Sequence, residues 1–177
     1  MPSQDLIAVF LDTYDYVWHR LRRRLDGLTD AEYLWEPVPE CWTVQRMEDG
    51  RYRAHPAQWP ETGPSPFTTI AWRMCHIADN FTEDRVARFF GREYPDDPAA
   101  SHPATAAEGI AYVEHAYALW RSYLDALEDQ RLWDKLGASA GARSERPLVR
   151  FILQYLEEFA HHAAEVAVVR DLYRAQP

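Results

Sequence analysis

Residues 147–173 read PLVRFILQYLEEFAHHAAEVAVVRDLY and form the most helix-like part of the chain. Leu148, Phe151, Ile152, Tyr155, Phe159, Val166, Val169 and Tyr173 recur mostly three or four positions apart. A helix turns about 100° per residue, so this spacing lays them along one side. His162 falls in line with them and faces inward. Glu158 stands one turn earlier, at the flank of the stripe. Positions four apart stack on one face, so Glu158 and His162 can aim an oxygen and a nitrogen at one point. His161 points about 100° away and reads as an exposed neighbour.

On spacing alone two readings of this pair stand. An inward histidine is commonly a satisfied core residue, and a glutamate beside an apolar stripe commonly sits at its wet edge. Alternatively the two share a cation. A buried or half-buried carboxylate is costly unless it is paired or coordinates a metal. A third donor from a second helix would then complete a three-ligand site with an open position.

Three further amphipathic segments lie upstream. In the first, about 4–28, Leu6, Phe10, Thr13, Val17, Leu21 and Leu28 recur at helical spacing, and Thr29-Asp30-Ala31-Glu32 follows as a capping box opening a short helix. The second, about 66–90, starts at Ser65-Pro66, carries the stripe Phe67, Ile70, Ala71, Met74, Ile77, Ala78, Phe81 and stops near Gly91. The third, about 105–129, opens on the capping box Thr105 to Glu108 and carries Ile110, Val113, Tyr117, Trp120, Leu124 and Leu127 at bundle-seam spacing. A Pro-rich connection, 94–103, and the flexible run 137–141 separate these segments. The stretch 36–65 holds Pro37, Pro39, Pro56, Pro60 and Pro64, which break any helix, and Cys41, Trp42 and Trp59. It reads as a long loop, a lid or a segment pinned by its tryptophans. No stretch alternates as a strand. The expectation is an all-α four-helix bundle in a single domain, 1–177, with a long connection between the first and second helices.

His76 sits nearly opposite the Phe67–Met74–Phe81 stripe of its helix. The same far face carries Thr69, Trp72, Asp79, Asn80 and Glu83. That face is either solvated or the wall of a polar pocket.

The 177 residues carry 47% hydrophobic and 14% aromatic side chains, ample for a core. The net charge of −9 disfavours partners with a phosphate backbone, so no nucleic acid is expected. Two cysteines, Cys41 and Cys75, do not make a disulfide framework. Cys75 reads as a small buried residue rather than a nucleophile. The N-terminus MPSQDLIAVF has no basic lead, and no apolar run approaches the ~20 residues of a membrane span. A cytoplasmic protein without a membrane partner is expected.

The order of these segments resembles the DinB/YfiT-like superfamily. The resemblance is carried by residues 28–35 (LTDAEYLW), 41–44 (CWTV), 69–79 (TIAWRMCHIAD) and 158–166 (EFAHHAAEV), followed by 170–173 (RDLY). In that superfamily a histidine of the second helix and a pair four apart in the fourth typically hold a divalent metal. Many members use His-x-x-x-His, whereas Glu158 stands first here. The arrangement is similar to the His plus Glu-x-x-x-His set of the mycothiol-dependent maleylpyruvate isomerase domain, which binds zinc. The ligands implied are His76, Glu158 and His162. Zinc is the implied metal, with nickel, manganese or iron tolerated by such a donor set. The resemblance also implies that the far face of the second helix lines the site.

A metal-dependent enzyme of thiol-S-transferase or isomerase type is implied, acting on a small molecule with a low-molecular-weight thiol such as mycothiol. Trp72, Trp42 and Arg73 are the candidate substrate wall, and a homodimer is implied. The alternative is a non-catalytic DinB-like helical domain, dimeric and stress-associated or metal-binding.

Overall fold

The computed structural model describes residues 5–56, 66–92 and 101–176. Trp59, Pro60, Pro64, the start signal at Ser65 and positions 94–100 of the Pro-rich connection lie outside them. The described residues are predominantly helical. In chain order the elements are α1 (Leu6–Leu25), α2 (Asp30–Tyr33), β1 (Val44–Arg46), β2 (Tyr52–Ala54), α3 (Ile70–Thr82), α4 (Asp84–Phe89), α5 (Ala106–Asp125) and α6 (Leu148–Arg174), with 3-10 turns at Asp129–Trp133 and Ala138–Arg143. α3 packs against α5 and α6, and α1 packs against the same two helices. Among the described residues no helix is long and apolar enough to cross a membrane.

Two helix starts follow the capping boxes read from the sequence. Thr29 and Thr105 each form a full capping box, with Glu32 and Glu108 returning the bond to the cap backbone. α1 is capped twice. Asp5 accepts from the Ala8 amide, and the Asp129 carboxylate accepts from the Leu6 and Ile7 amides at 3.0 and 3.1 Å. These amides have no partner within the helix, so a carboxylate placed there satisfies donors and complements the helix dipole.

α1 buries Ile7, Tyr14, Leu21 and Leu25, a line that shares Leu21 with the expected stripe but is rotated from its Leu6, Phe10, Val17 and Leu28, which are only partly buried. Tyr14 explains the rotation. Its hydroxyl donates to the Ile152 carbonyl at 2.7 Å, which removes the cost of burying a phenol. Its ring meets Trp120, Phe81 and Phe159 at 5.5, 6.3 and 6.3 Å. These aromatics, with Tyr117, Phe151 and Tyr155, form the centre of the core.

Two expectations are corrected. The second long segment is not one helix over 66–90. It starts at Thr69, whose hydroxyl accepts from the Trp72 amide, and breaks at Glu83, where the backbone is extended (ψ 136°). Thr82 turns its hydroxyl back onto the Ala78 carbonyl at 2.8 Å, a competing bond of the kind that bends helices. The break lets α4 direct Phe89 and Phe90 against Phe151 and Trp120. Phe67 precedes the helix and is 47% exposed, so it is not part of the stripe.

The 36–65 stretch also contains a hairpin, although no strand was expected. β1 pairs antiparallel with β2, Gln45 opposite Arg53, around a turn that uses Gly50 at φ 83°. Strands of three residues are too short to show alternation, and only Val44 of β1 is buried. Trp42 exchanges backbone bonds with Phe67 and Thr69, and the Trp72 indole donates to the His55 carbonyl at 2.8 Å. The segment is thus tied to the start of α3.

α2 is fixed to α6 by a buried ionic cluster. Arg170, 1% exposed, donates to both oxygens of Glu32 and to the Arg24 and Asp26 carbonyls, and Arg174 adds a bond to Glu32. Tyr33, next in α2, lies over Gly109 of α5. A Cβ at 109 would fall 2.7 Å from the Tyr33 ring. Gly109→Ala is therefore expected to destabilise by about 1–3 kcal/mol through overpacking, against a helix-propensity gain of ~1 kcal/mol. Urea unfolding of the variant checks this, and a stabilised variant would contradict the packing.

Candidate metal centre

α3 and α6 lie side by side, and the polar cluster sits between them. His76 is on α3, one helical turn after Trp72, whose ring stacks on the imidazole at 4.8 Å and 12°. This stacking answers the helix-wheel difficulty. Trp72 is buried and His76 half-buried, so the far face of α3 turns toward α6 rather than toward water. The His76 ring meets His162 edge to face, with centroids 4.7 Å apart. Asn80 places its amide 3.2 Å from the Nε2 of His76. Burial pushes the His76 imidazolium down to about 4, with His162 and Arg73 nearby acting in the same direction. His76 is therefore a neutral nitrogen donor at ordinary pH.

On α6, His162 is 8% exposed, as its place in the stripe required. Its Nε2 lies 3.1 Å from Oε2 of the half-buried Glu158. Its Nδ1 lies 2.7 Å from Oε2 of Glu165 and 3.1 Å from a terminal nitrogen of Arg73. Burial opposes charge on Glu165. The hydrogen bond with His162 and the Arg73 guanidinium outweigh it, and the carboxyl is held below its ordinary range. His161 is exposed, as expected, and approaches Glu165 at 3.3 Å.

Ligand atoms of His76, Glu158 and His162 all lie within 4.8 Å of one another. Donors around a first-row divalent cation sit roughly 3–3.5 Å apart, given bond lengths of about 2.1 Å. The pair on α6 already has that spacing, and closure onto an ion needs only small shifts from the third. His162 supplies a separate test of fit. A neutral imidazole carries one N–H, yet this ring stands between two carboxylates. A cation between Nε2 and Glu158 would take the Nε2 lone pair and leave the single N–H to the Glu165 carboxylate. A second set, His161, His162 and Glu165, also lies within 4.8 Å. It fits less well, because Glu165 is already paired with Arg73 at 3.0 Å and His161 is on the surface.

Trp42, Trp72 and Arg73, expected to line a substrate, contact one another. Trp42 packs on Trp72 at 5.4 Å. The Arg73 guanidinium lies over the Trp72 ring at 4.9 Å and forms an ion pair with Glu165. Trp35 packs edge-on against Tyr173. A narrow crevice beside the donors is lined by Ile77, Asn80, Phe81, Tyr155 and Phe159. Cys75 is fully buried, and burial pushes its thiol well up, which leaves it no thiolate for nucleophilic work. Sequence reasoning assigned no role to Glu165. The available signal was its place one turn beyond His162, within hydrogen-bonding reach of the ring.

A predominantly helical fold with a two-histidine, one-carboxylate cluster bridging two long helices defines a class of small helical proteins with a candidate metal site. The sequence pattern of the DinB superfamily matches residues 13–166, and the chain belongs to that superfamily. The crystal structure of a conserved protein from Enterococcus faecalis is similar, with a TM-score of 0.62, 16% identity, and coverage of 98% of this chain and 100% of that one. At that identity the likeness concerns the fold alone. No curated protein matches the chain.

Proposed function

We propose that this chain is a divalent-metal protein that holds zinc through His76, Glu158 and His162 on a four-helix bundle scaffold, and that it acts as a thiol-S-transferase or isomerase with a low-molecular-weight thiol such as mycothiol. One observation carries the reading: two imidazole nitrogens and a carboxylate from separate helices converge between α3 and α6. α1 and α3, each packed against both α5 and α6, support the bundle. Three protein donors leave an open position. A divalent cation there supplies Lewis acidity that converts a thiol into the stronger thiolate nucleophile. The protein's own part is to orient two imidazoles, one by Trp72 stacking and one by its neighbours on α6. A second reading, a metal-binding domain without turnover, is favoured by the engagement of Trp42, Trp72 and Arg73 in scaffold contacts.

Elemental analysis of the purified chain tests the site. About one ion per chain is expected in the wild type, with strong depletion in Glu158→Gln and His162→Ala. Undiminished metal in both variants would reject the ligand set. A panel of thiols and electrophiles then separates the two readings, since a metal-loaded protein without turnover supports the second.

A further inference from the structure

We propose that Glu165, held in place by Arg73, is a positioning residue that keeps the proton of His162 on Nδ1 and so leaves the Nε2 lone pair for the cation. This rests on the metal reading above and adds a residue to it.

Two groups compete for one nitrogen of the His162 ring. Nδ1 has two neighbours, the Glu165 carboxylate at 2.7 Å and an Arg73 N–H at 3.1 Å, and it cannot both donate to the first and accept from the second. Nε2 has the Glu158 carboxylate at 3.1 Å. In one tautomer Nε2–H donates to Glu158 and Nδ1 accepts from Arg73, which leaves Glu165 with its oxygen 2.7 Å from a lone pair. In the other, Nδ1–H donates to Glu165, and the bare Nε2 faces Glu158. The second places the proton in the shorter, charge-assisted contact. It also places both remaining lone pairs, on Nε2 and on Glu158, on the side where His76 lies.

This choice sets the Arg73 terminal N–H against Nδ1–H, and the ion pair of the guanidinium with the Glu165 carboxylate offsets it. The Arg73 Nε lies 3.0 Å from the same Glu165 oxygen, and its side chain is 14% exposed. A carboxylate oxygen can take both contacts. Pinned this way, Glu165 is removed from competition as a ligand, while Glu158 keeps its oxygen free of any guanidinium contact among the described residues. A ligating histidine that gives its other N–H to a carboxylate is fixed in both tautomer and ring orientation.

Zinc affinity by chelator competition, combined with long-range ¹H–¹⁵N NMR of the imidazoles, tests the proposal on the full chain. The wild type with zinc is expected to show His162 protonated at Nδ1. Glu165→Ala is expected to bind zinc about 10–100-fold more weakly at unchanged saturating stoichiometry. Glu165→Gln, whose amide oxygen still accepts from Nδ1–H, is expected to recover part of that loss and serves if the alanine variant fails to fold. Wild-type affinity in both variants, or a proton on Nε2 in the zinc-loaded wild type, would overturn the role of Glu165 and leave the three ligands standing. A wild-type chain that takes up no zinc would overturn both readings.

Discussion

Replacing His76 with alanine is expected to abolish the rise in melting temperature that zinc gives the wild-type chain. A ligand present at 100 times its dissociation constant stabilises a fold by about 2.7 kcal/mol. For a chain of this size each kcal/mol moves the midpoint by roughly 2–4 °C, so the wild-type shift should be about 5–10 °C. Only His76 brings α3 into the donor set; without it Glu158 and His162 offer two donors from a single helix. Two donors leave more of the cation's shell to water, and the affinity should fall by at least ~100-fold. The metal-free variant should still fold, since the half-buried His76 contributes one stacking contact with Trp72. Differential scanning calorimetry with and without zinc measures both. An unchanged zinc shift in His76→Ala would remove α3 from the site.

Arg170→Ala is expected to cost about 3–5 kcal/mol. The side chain is 1% exposed, and its partner Glu32 is 4% exposed. Truncation leaves a buried carboxylate without its main counter-charge and opens the Arg24 and Asp26 carbonyls it capped. Arg174 also bonds Glu32, but from a side chain 51% exposed, so Arg174→Ala should cost no more than ~1 kcal/mol. Chemical denaturation ranks the two. A small loss in Arg170→Ala would mean that Arg174 and water replace it. The cluster also sets an acid limit. Burial alone would raise the Glu32 carboxyl, but Arg170, the Thr29 amide and Arg174 bring it from 4.5 down to about 2. Between those values the unfolded chain binds the extra proton, so this stabilisation is present above about 4.5 and is lost as pH falls toward 2. The variant should show a flatter decline across that window.

The long helices were legible because their evidence is local. Capping boxes at Thr29 and Thr105, and the α6 stripe, depend on neighbours within one turn. The hairpin was not legible, because three-residue strands carry too little alternation and are held by backbone bonds to the start of α3. The break at Glu83 was hidden for a related reason: apolar spacing continues through Phe89 while the backbone turns. At the site, Glu158 and His162 could be paired from spacing alone. His76 could not, since its orientation depends on Trp72 being buried against the hairpin segment, a tertiary fact. The ion pair of Arg73 with Glu165 joins positions 92 apart in sequence, and no local pattern announces it.

The two amides that open α1 are closed by a carboxylate 122 and 123 residues further on. During vectorial synthesis, with the N-terminus emerging first, α1 leaves the ribosome before Asp129 and α6 exist. Its line of Ile7, Tyr14 and Leu21 then stays without its final cover until most of the polypeptide has been made. Such long-range closure slows folding and prolongs the exposure of sticky surface.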